Sequence, residues 1–442
     1  MAGRQLSGLD IAFLCLEAKT SPMHMGAVVI FQPSAAVDPE KLSTLLAERA
    51  GRVPRLRRRV GATLFPPGGA AWQEDTEFDA REHVQHHRLG EFCEEEDPLT
   101  AYAAEWIEEP LDLRRPPWSL RVVTGLPGER FALLLKLHHS FTDGAGAFAV
   151  AAGLLDELPV TRSILEATEA EPDGRSPLTM LKDGVTAAFT DLGANAGIAS
   201  AVLRAARPYP LSPLSAPNSP SRRLAFVRLD LDDVRRIRTA HGGTSNDVIL
   251  AVLTGGLRDW MINRGQRVEG RSLRALIPVS TRARDTGSAA NRLSGYLCEL
   301  PVQLDDPVHR LRAIHRSMHR NKAAGPLAGP GAVPILAERI PPPLHRLATG
   351  MVGQAAGLLF DTVITNVPLP KFDLSLDGAA LREVYPLVPL APRSALAIAA
   401  AVYRDGVHIG LQANADAVTD TGSLRDAVLK AAAALYERSV AP

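Results

Sequence analysis

Between residues 207 and 223 the chain reads RPYPLSPLSAPNSPSRR, and the five prolines and four serines in this stretch defeat any regular element. A proline offers no N–H to a helix or a strand ladder, and its ring fixes φ near −65°. The sequence on either side must therefore fold as two parts. The length agrees, since 442 residues exceed the size at which one hydrophobic core usually keeps growing. The expectation is an N-terminal half over 1–160, a helical and Pro/Ser-rich connection over 161–222, and a C-terminal half over 223–442, with a cleft between the halves.

Hydrophobic patterning makes both halves mixed α/β. GAVVIF at 26–31 and RFALLLKLHH at 130–139 read as buried strands, DPEKLSTLLAERAGRV from 38 as a helix with an acidic first turn, and AGAFAVAAGLLDEL from 145 as a second helix. After the break come a strand at LAFVRLDL, helices at DDVRRIRTAHG and NDVILAVLTGGLRDWMINRG, and strands at LRALIPVS and LSGYLCELPV. A Pro/Gly-rich loop at 324–345 then leads to strands at TVITNVPLP, ALAIAAAVY and VHIGLQAN.

The 49 basic and 49 acidic residues balance, so net charge points neither to nucleic acid nor to an electrostatic hold on an anionic membrane. Cys15, Cys93 and Cys298 are odd in number and far apart, which argues against a disulfide framework or structural zinc and fits a reducing cytoplasm. The first residues carry Asp10 and Glu17 around a short apolar patch, a poor signal peptide, and no apolar run approaches the roughly 18 residues that a membrane span needs.

The chemistry concentrates in LHHSFTDGAG at 137–146, placed between a strand and a helix. Successive strand side chains point to opposite faces, so one of His138 and His139 is expected to act and the other to support it. Adjacent histidines chelate a metal poorly, and no third ligand follows at zincin spacing. An imidazole with its ordinary pKa of about 6.5 suits proton removal from an alcohol and return to a leaving group. Asp143 can orient a histidine, pair with a distant arginine, or cap the helix that follows; Gly144 lets the backbone turn. His138 and Asp143 also form the H-x-x-x-x-D of glycerol-phosphate acyltransferases, so the local string leaves two acyltransferase classes open. No G-x-S-x-G is present, against an acyl-serine hydrolase.

The wider chain resembles the bacterial wax ester synthase/diacylglycerol acyltransferase family. The ordered segments LSGLDIAFLCLEAKTSPMHMGAVVIF, AAWQEDTEFDAREHV, EEPLDLRRPPWSLRVVTGL and LHHSFTDGAGA carry the likeness, and GGTSNDVILAVLTGGLR, IPVSTRAR, NRLSGYLCELP, TNVPLP and VYPLVPLAPRSALAIAAAVYRDGVHIGLQAN continue it. The resemblance implies two chloramphenicol acetyltransferase-like halves, as in peptide-synthetase condensation domains, with a tunnel between them. It implies His139 as catalytic base, with His138, Asp143 and Gly144 supporting it and Arg282 pairing with Asp143. Asn246 and Asp247 stand at the family's Asn-Asp pair, and Thr244 with Asp247 also reads as a capping box. Asn291 falls where the family has Gly-Asn, but follows Ala290. Pro110, Leu111, Asp112 and Trp118 match a family segment expected to pack along the tunnel wall.

The reaction so implied is transfer from a long-chain acyl-CoA, a co-substrate, to diacylglycerol or a fatty alcohol, with no other cofactor and no metal. The expected setting is cytoplasmic, peripheral to a membrane or lipid droplet because the substrates are insoluble. Alternatives on the same fold are a carrier-bound donor or different acceptor, and a non-catalytic lipid binder. The run RVPRLRRR at 52–59 reads first as a solvated face and second as a phosphate site, and His83, His86 and His87 as surface or packing histidines.

Overall fold

The computed structural model describes residues 4–63, 69–90, 97–141, 144–156, 212–280, 293–325 and 357–440. In chain order the N-terminal part contains β1 (Arg4–Gln5), α1 (Gly8–Leu16), β2 (His24–Gln32), α2 (Pro39–Arg52), β3 (Arg58–Ala62), β4 (Ala70–Glu74), β5 (Val84–Arg88), α3 (Pro98–Glu108), β6 (Trp118–Thr124), β7 (Phe131–His138) and α4 (Gly144–Ala152). The C-terminal part contains β8 (Arg222–Asp230), α5 (Leu231–His241), α6 (Ser245–Asn263), β9 (Leu273–Ser280), β10 (Leu293–Leu300), α7 (Pro307–Ala324), β11 (Thr362–Val367), β12 (Ser375–Leu376), β13 (Ala379–Leu387), β14 (Leu396–Tyr403), β15 (Gly406–Asn414) and α8 (Thr421–Val440). The Ala-rich piece near 186–206, much of the Pro/Ser stretch, Cys93 and most of the 324–345 loop lie outside the described residues. Among the described residues no helix is long and apolar enough to cross a membrane.

Local chemistry explains the boundaries. Asp38 starts α2 by accepting from the Glu40 and Lys41 amides at 3.1 and 3.3 Å, and Thr244 and Asp247 close the capping box that opens α6. Every residue of β7 and β15 is buried, including Lys136 and His138 of β7 and His408, Gln412 and Asn414 of β15, as in strands covered on both faces. The helix after the double histidine is shorter than its composition suggests and stops at Ala152. Asp156 instead gathers the Asp377 and Gly378 amides at 2.9 and 3.0 Å, the Ser375 hydroxyl at 2.7 Å and Arg49 at 2.9 Å. Those four bonds pull residues 153–156 out of helical geometry and onto the hairpin formed by β12 and β13.

Two six-stranded sheets organise the molecule, one in the order β12-β13-β2-β7-β6-β5 and the other β10-β9-β11-β14-β15-β8. The short sheet β1-β4-β3 flanks the first. Chain order and sheet membership differ, because β13 lies beyond residue 223 yet pairs antiparallel with β2, from Gln32 opposite Ala380 to Gly26 opposite Leu387. Two strands of the second half, β13 and beyond it β12, therefore complete the sheet of the first. Both sheets have helices packed on them, and each half keeps its own apolar core.

The sheets meet where β13 crosses β15. At Gly410 a Cβ would lie 2.1 Å from the Pro386 carbonyl oxygen, so only glycine permits this approach. Nearby the Tyr403 hydroxyl accepts from the Leu374 amide at 2.8 Å, joining β14 to the chain entering β12. Gly410→Ala is expected to force the sheets apart and cost about 1–3 kcal/mol of stability, as overpacking does in a tight core. Urea unfolding of the variant checks this; an unchanged midpoint would refute the contact.

Candidate functional site

Strand alternation delivers the double histidine to two different surfaces. On β7, Leu133, Leu135 and Leu137 face a cavity between the sheets, and His139, one residue past the strand end, continues the same series onto its wall. Lys136 and His138 face the other way and are buried, at 1% and 0% exposure. On β2, Met25, Ala27, Val29 and Phe31 supply the matching wall.

Backbone bonds fix the histidines before their side chains do anything. The His138 amide donates to the Pro117 carbonyl at 3.0 Å and the His139 amide to the Met23 carbonyl at 2.8 Å. The Phe141 amide donates back to the His138 carbonyl at 2.8 Å, turning the chain, and the Arg55 guanidinium holds the Phe141 carbonyl. Phe13 of α1 stacks on the His139 ring at 4.1 Å with an interplanar angle of 24°. The base candidate thus has its main chain and its ring plane both set.

His138 is the supporting partner, and its tautomer follows from its contacts. The Ser140 amide can only donate, and it reaches His138 Nδ1 at 3.1 Å, so Nδ1 is the acceptor and the ring proton sits on Nε2. Glu17 Oε2 lies 3.3 Å from that Nε2, and Oε1 lies 3.7 Å from His24 Nε2. Burial works against the Glu17 charge, but the His138 ring, the Met23 amide and His24 together hold its carboxyl below the ordinary value. Burial pushes His24 down to about 4 despite Glu17. Sequence reading noticed Glu17 only as a charge near the N-terminus; what it lacked was any sign that residues 17 and 138 meet.

The cavity has a volume of about 380 Å³, within the range of small-molecule sites. Its wall comes from both halves: α1, β2, β7 and α4 on one side, and Leu276, Pro278, Leu297 and Val363 with the 387–392 segment on the other. Among the described residues that line it, His139 and Thr365 are the polar side chains, and of these His139 is the one that can titrate. The arrangement places an imidazole on the wall of an otherwise largely apolar space.

The remaining expected site residues divide. Gly144 begins α4, whose Ala147, Phe148 and Ala151 run along the cavity. Asp143, Arg282 and Asn291 lie outside the described residues. Asp247 is buried at 1% exposure in its capping box and meets His315 Nδ1 at 3.0 Å, and Asn246 beside it is half-buried; neither lines the cavity. Trp118 also leaves the expected place. It is buried in the core behind β7, with Nε1 donating to the Leu56 carbonyl at 2.7 Å, while Pro117 grips the His138 amide; the segment braces the site rather than lining it. Asp112 pairs with Arg114 at 2.9 Å, exposed.

In the basic run Arg57 pairs with Glu74 at 3.2 Å and Arg55 lies over the Phe141 ring, so two of its cations have protein partners. His83 stacks on Trp118 and His87 on Tyr102, while exposed His86 meets the Thr124 hydroxyl through Nε2 at 2.7 Å, so the first two pack and the third lies on the surface. Among the described residues no group of three or more His, Cys, Asp or Glu is placed to hold a metal.

Comparison with known proteins adds the following. The wax ester synthase/diacylglycerol acyltransferase catalytic domain matches residues 6–249, and the WS/DGAT C-terminal domain matches residues 289–435. A Mycobacterium tuberculosis protein named as a diacylglycerol O-acyltransferase is 32% identical, over 98% of this chain and 97% of its own. A wax ester synthase/diacylglycerol acyltransferase from Marinobacter aquaeolei VT8 superposes with a TM-score of 0.73 at 25% identity, covering 99% of both chains. The first condensation domain of the calcium-dependent antibiotic synthetase superposes with a TM-score of 0.63 at 16% identity, over 100% of this chain and 97% of that one, a likeness of fold alone. The two-half acetyltransferase-like architecture expected from the sequence is the one observed.

The depressed His24 value gives a stability signature. The folded state keeps this ring neutral while the unfolded chain protonates near pH 6.5, so stability falls as pH drops from 6.5 towards 4 and is unaffected above that window. The loss from this group at pH 5 is about 2 kcal/mol. Urea unfolding at pH 7 and pH 5 should show that much less acid sensitivity in His24→Gln than in the parent; equal sensitivity would place the acid response elsewhere.

Proposed function

This chain belongs to the wax ester synthase/diacylglycerol acyltransferase family, and on that premise we propose that it moves a long-chain acyl group from acyl-CoA to diacylglycerol or a long-chain alcohol, with His139 as general base. The observation that carries the reading is the apolar cavity between the halves on whose wall His139 is the titratable side chain. An alkyl chain gains roughly 0.8 kcal/mol for each methylene it brings out of water, and a wall with two polar side chains is suited to collect that energy.

In this reading the acyl chain lies along β2, β7 and α4 with the thioester carbonyl beside His139. The acceptor hydroxyl attacks that carbonyl carbon while His139 takes its proton. The C–S bond then breaks, and the imidazolium returns the proton to the departing CoA thiolate, leaving an ester and free CoA. No acyl-enzyme forms. The developing oxyanion is met by the first amides of α4, which starts at Gly144 only five residues beyond the base; a helix N-terminus carries both free N–H groups and partial positive charge.

Asp143 supports the turn between His139 and α4, with Arg282 as its partner. The donor's nucleotide end stays outside the apolar cavity, and both lipid substrates bring the protein into peripheral contact with a membrane or droplet surface from the cytoplasmic side.

The test is thiol release from palmitoyl-CoA, with hexadecanol and dipalmitoylglycerol offered separately. Release should depend on the acceptor, and His139→Ala should lower kcat by about 10²–10⁴-fold, the usual weight of general base catalysis. A His139→Ala variant with undiminished turnover would sink the base assignment. With the parent enzyme, each methylene added to a short acyl donor should raise kcat/KM about fourfold until the cavity is filled; a flat series from C8 to C16 would show that the acyl chain binds elsewhere.

A further inference from the structure

Glu17 ends α1 as its C-cap residue, and its side chain is 18% exposed. Oε2 accepts the Met23 amide at 2.5 Å and lies 3.3 Å from His138 Nε2, while Oε1 is 3.7 Å from His24 Nε2. The carbonyl of the same Met23 accepts the His139 amide at 2.8 Å. One carboxylate therefore grips the N–H of a residue whose C=O holds the main chain of the base. One helical turn earlier, Phe13 of the same helix stacks on the His139 ring. The last turn of α1 thus controls both the backbone and the ring plane of His139.

We propose that Glu17 is a positioning residue for acyl transfer: through the Met23 peptide and His138 it holds His139 in register with the cavity, and its negative charge, set behind the motif, favours the imidazolium formed during the reaction. The inference rests on His139 being the base. A neutral group in its place could accept the Met23 amide but could not offset the charge that His139 gains. The groups that face this carboxylate are His138 and His24, with the Lys136 ammonium acting on His24 from the same side of the sheet.

The test compares Glu17→Gln, Glu17→Ala and Glu17→Asp with His139→Ala in the palmitoyl-CoA assay, after thermal melts establish that each variant is folded. Glu17→Gln keeps an oxygen for the Met23 amide and loses only the charge, so it serves even where Glu17→Ala does not fold. The expected result for Glu17→Ala is a fall in kcat of about 10²-fold, the cost of a small misplacement of a reacting group, with KM for palmitoyl-CoA within about threefold of the parent because the cavity wall is untouched. For Glu17→Gln the fall should be smaller, and the acidic limb of the kcat profile should move to lower pH by about 0.5 unit or more, since a carboxylate that favours the imidazolium has gone. Glu17→Asp should restore that limb. If Glu17→Gln keeps the parent's kcat and acidic limb while His139→Ala is inactive, the positioning role is wrong and the base assignment stands. If His139→Ala is itself active, both fall together.

Discussion

Two neighbouring amides carry the site. His138 donates to Pro117 on the β6 side of the strand and His139 donates to Met23 on the β2 side. Neither bond is strong; a hydrogen bond of this kind contributes about 1 kcal/mol net. Their value is directional. With β7 held between β2 and β6 in extended register as far as His138 opposite His24, the next residue has one face available to it, and that face is the cavity. A histidine placed one residue past a strand end and braced from both neighbouring strands is held more firmly than a residue within a loop.

The same strand separates two environments that could not share a wall. On the cavity side Leu133, Leu135 and Leu137 lead to His139. On the reverse side Lys136, His138 and His24 are buried in contact with carbonyl groups, a serine and Glu17, and burial lowers Lys136 to about 7 while the Trp106 and Glu109 carbonyls accept from its ammonium. A charge on the cavity side would hold water against an otherwise apolar wall, and a polar group without a partner there would cost more than one hydrogen bond returns. Placing the titratable groups behind the strand leaves the cavity wall largely apolar while His138 stays next to His139 in the chain.

Much of this was readable from residue patterns because local rules govern it. β7, β9, α6 and the split between His138 and His139 follow from periodicity, a capping box and strand alternation, and each is found within a residue or two of its expected place. What local rules cannot show is which distant segments meet. VYPLVPL reads as apolar chain but carries no mark that it will pair with β2 across some 350 residues of sequence. Trp118 was expected on the tunnel wall from its place in the family segment, yet the Leu56 carbonyl accepts its N–H and it is buried in the core. Glu17 stood in a short apolar patch that invited a question about signal peptides, when the patch is a largely apolar helix with Leu9, Ala12, Phe13 and Leu16 on the cavity.

The exchanged strand also joins the two halves at the cavity. Val384, Pro386 and Leu387 of β13 line it, and β13 is hydrogen-bonded into the first sheet while Gly410 of the second lies against its Pro386 carbonyl. Rocking the halves apart as two rigid bodies would mean either stripping a nine-residue strand from β2 or opening the tight approach of Gly410 to the Pro386 carbonyl. Both would disturb backbone contacts that side-chain movement leaves intact. β13 therefore ties the two sheets together along the part of the cavity wall that Val384, Pro386 and Leu387 form.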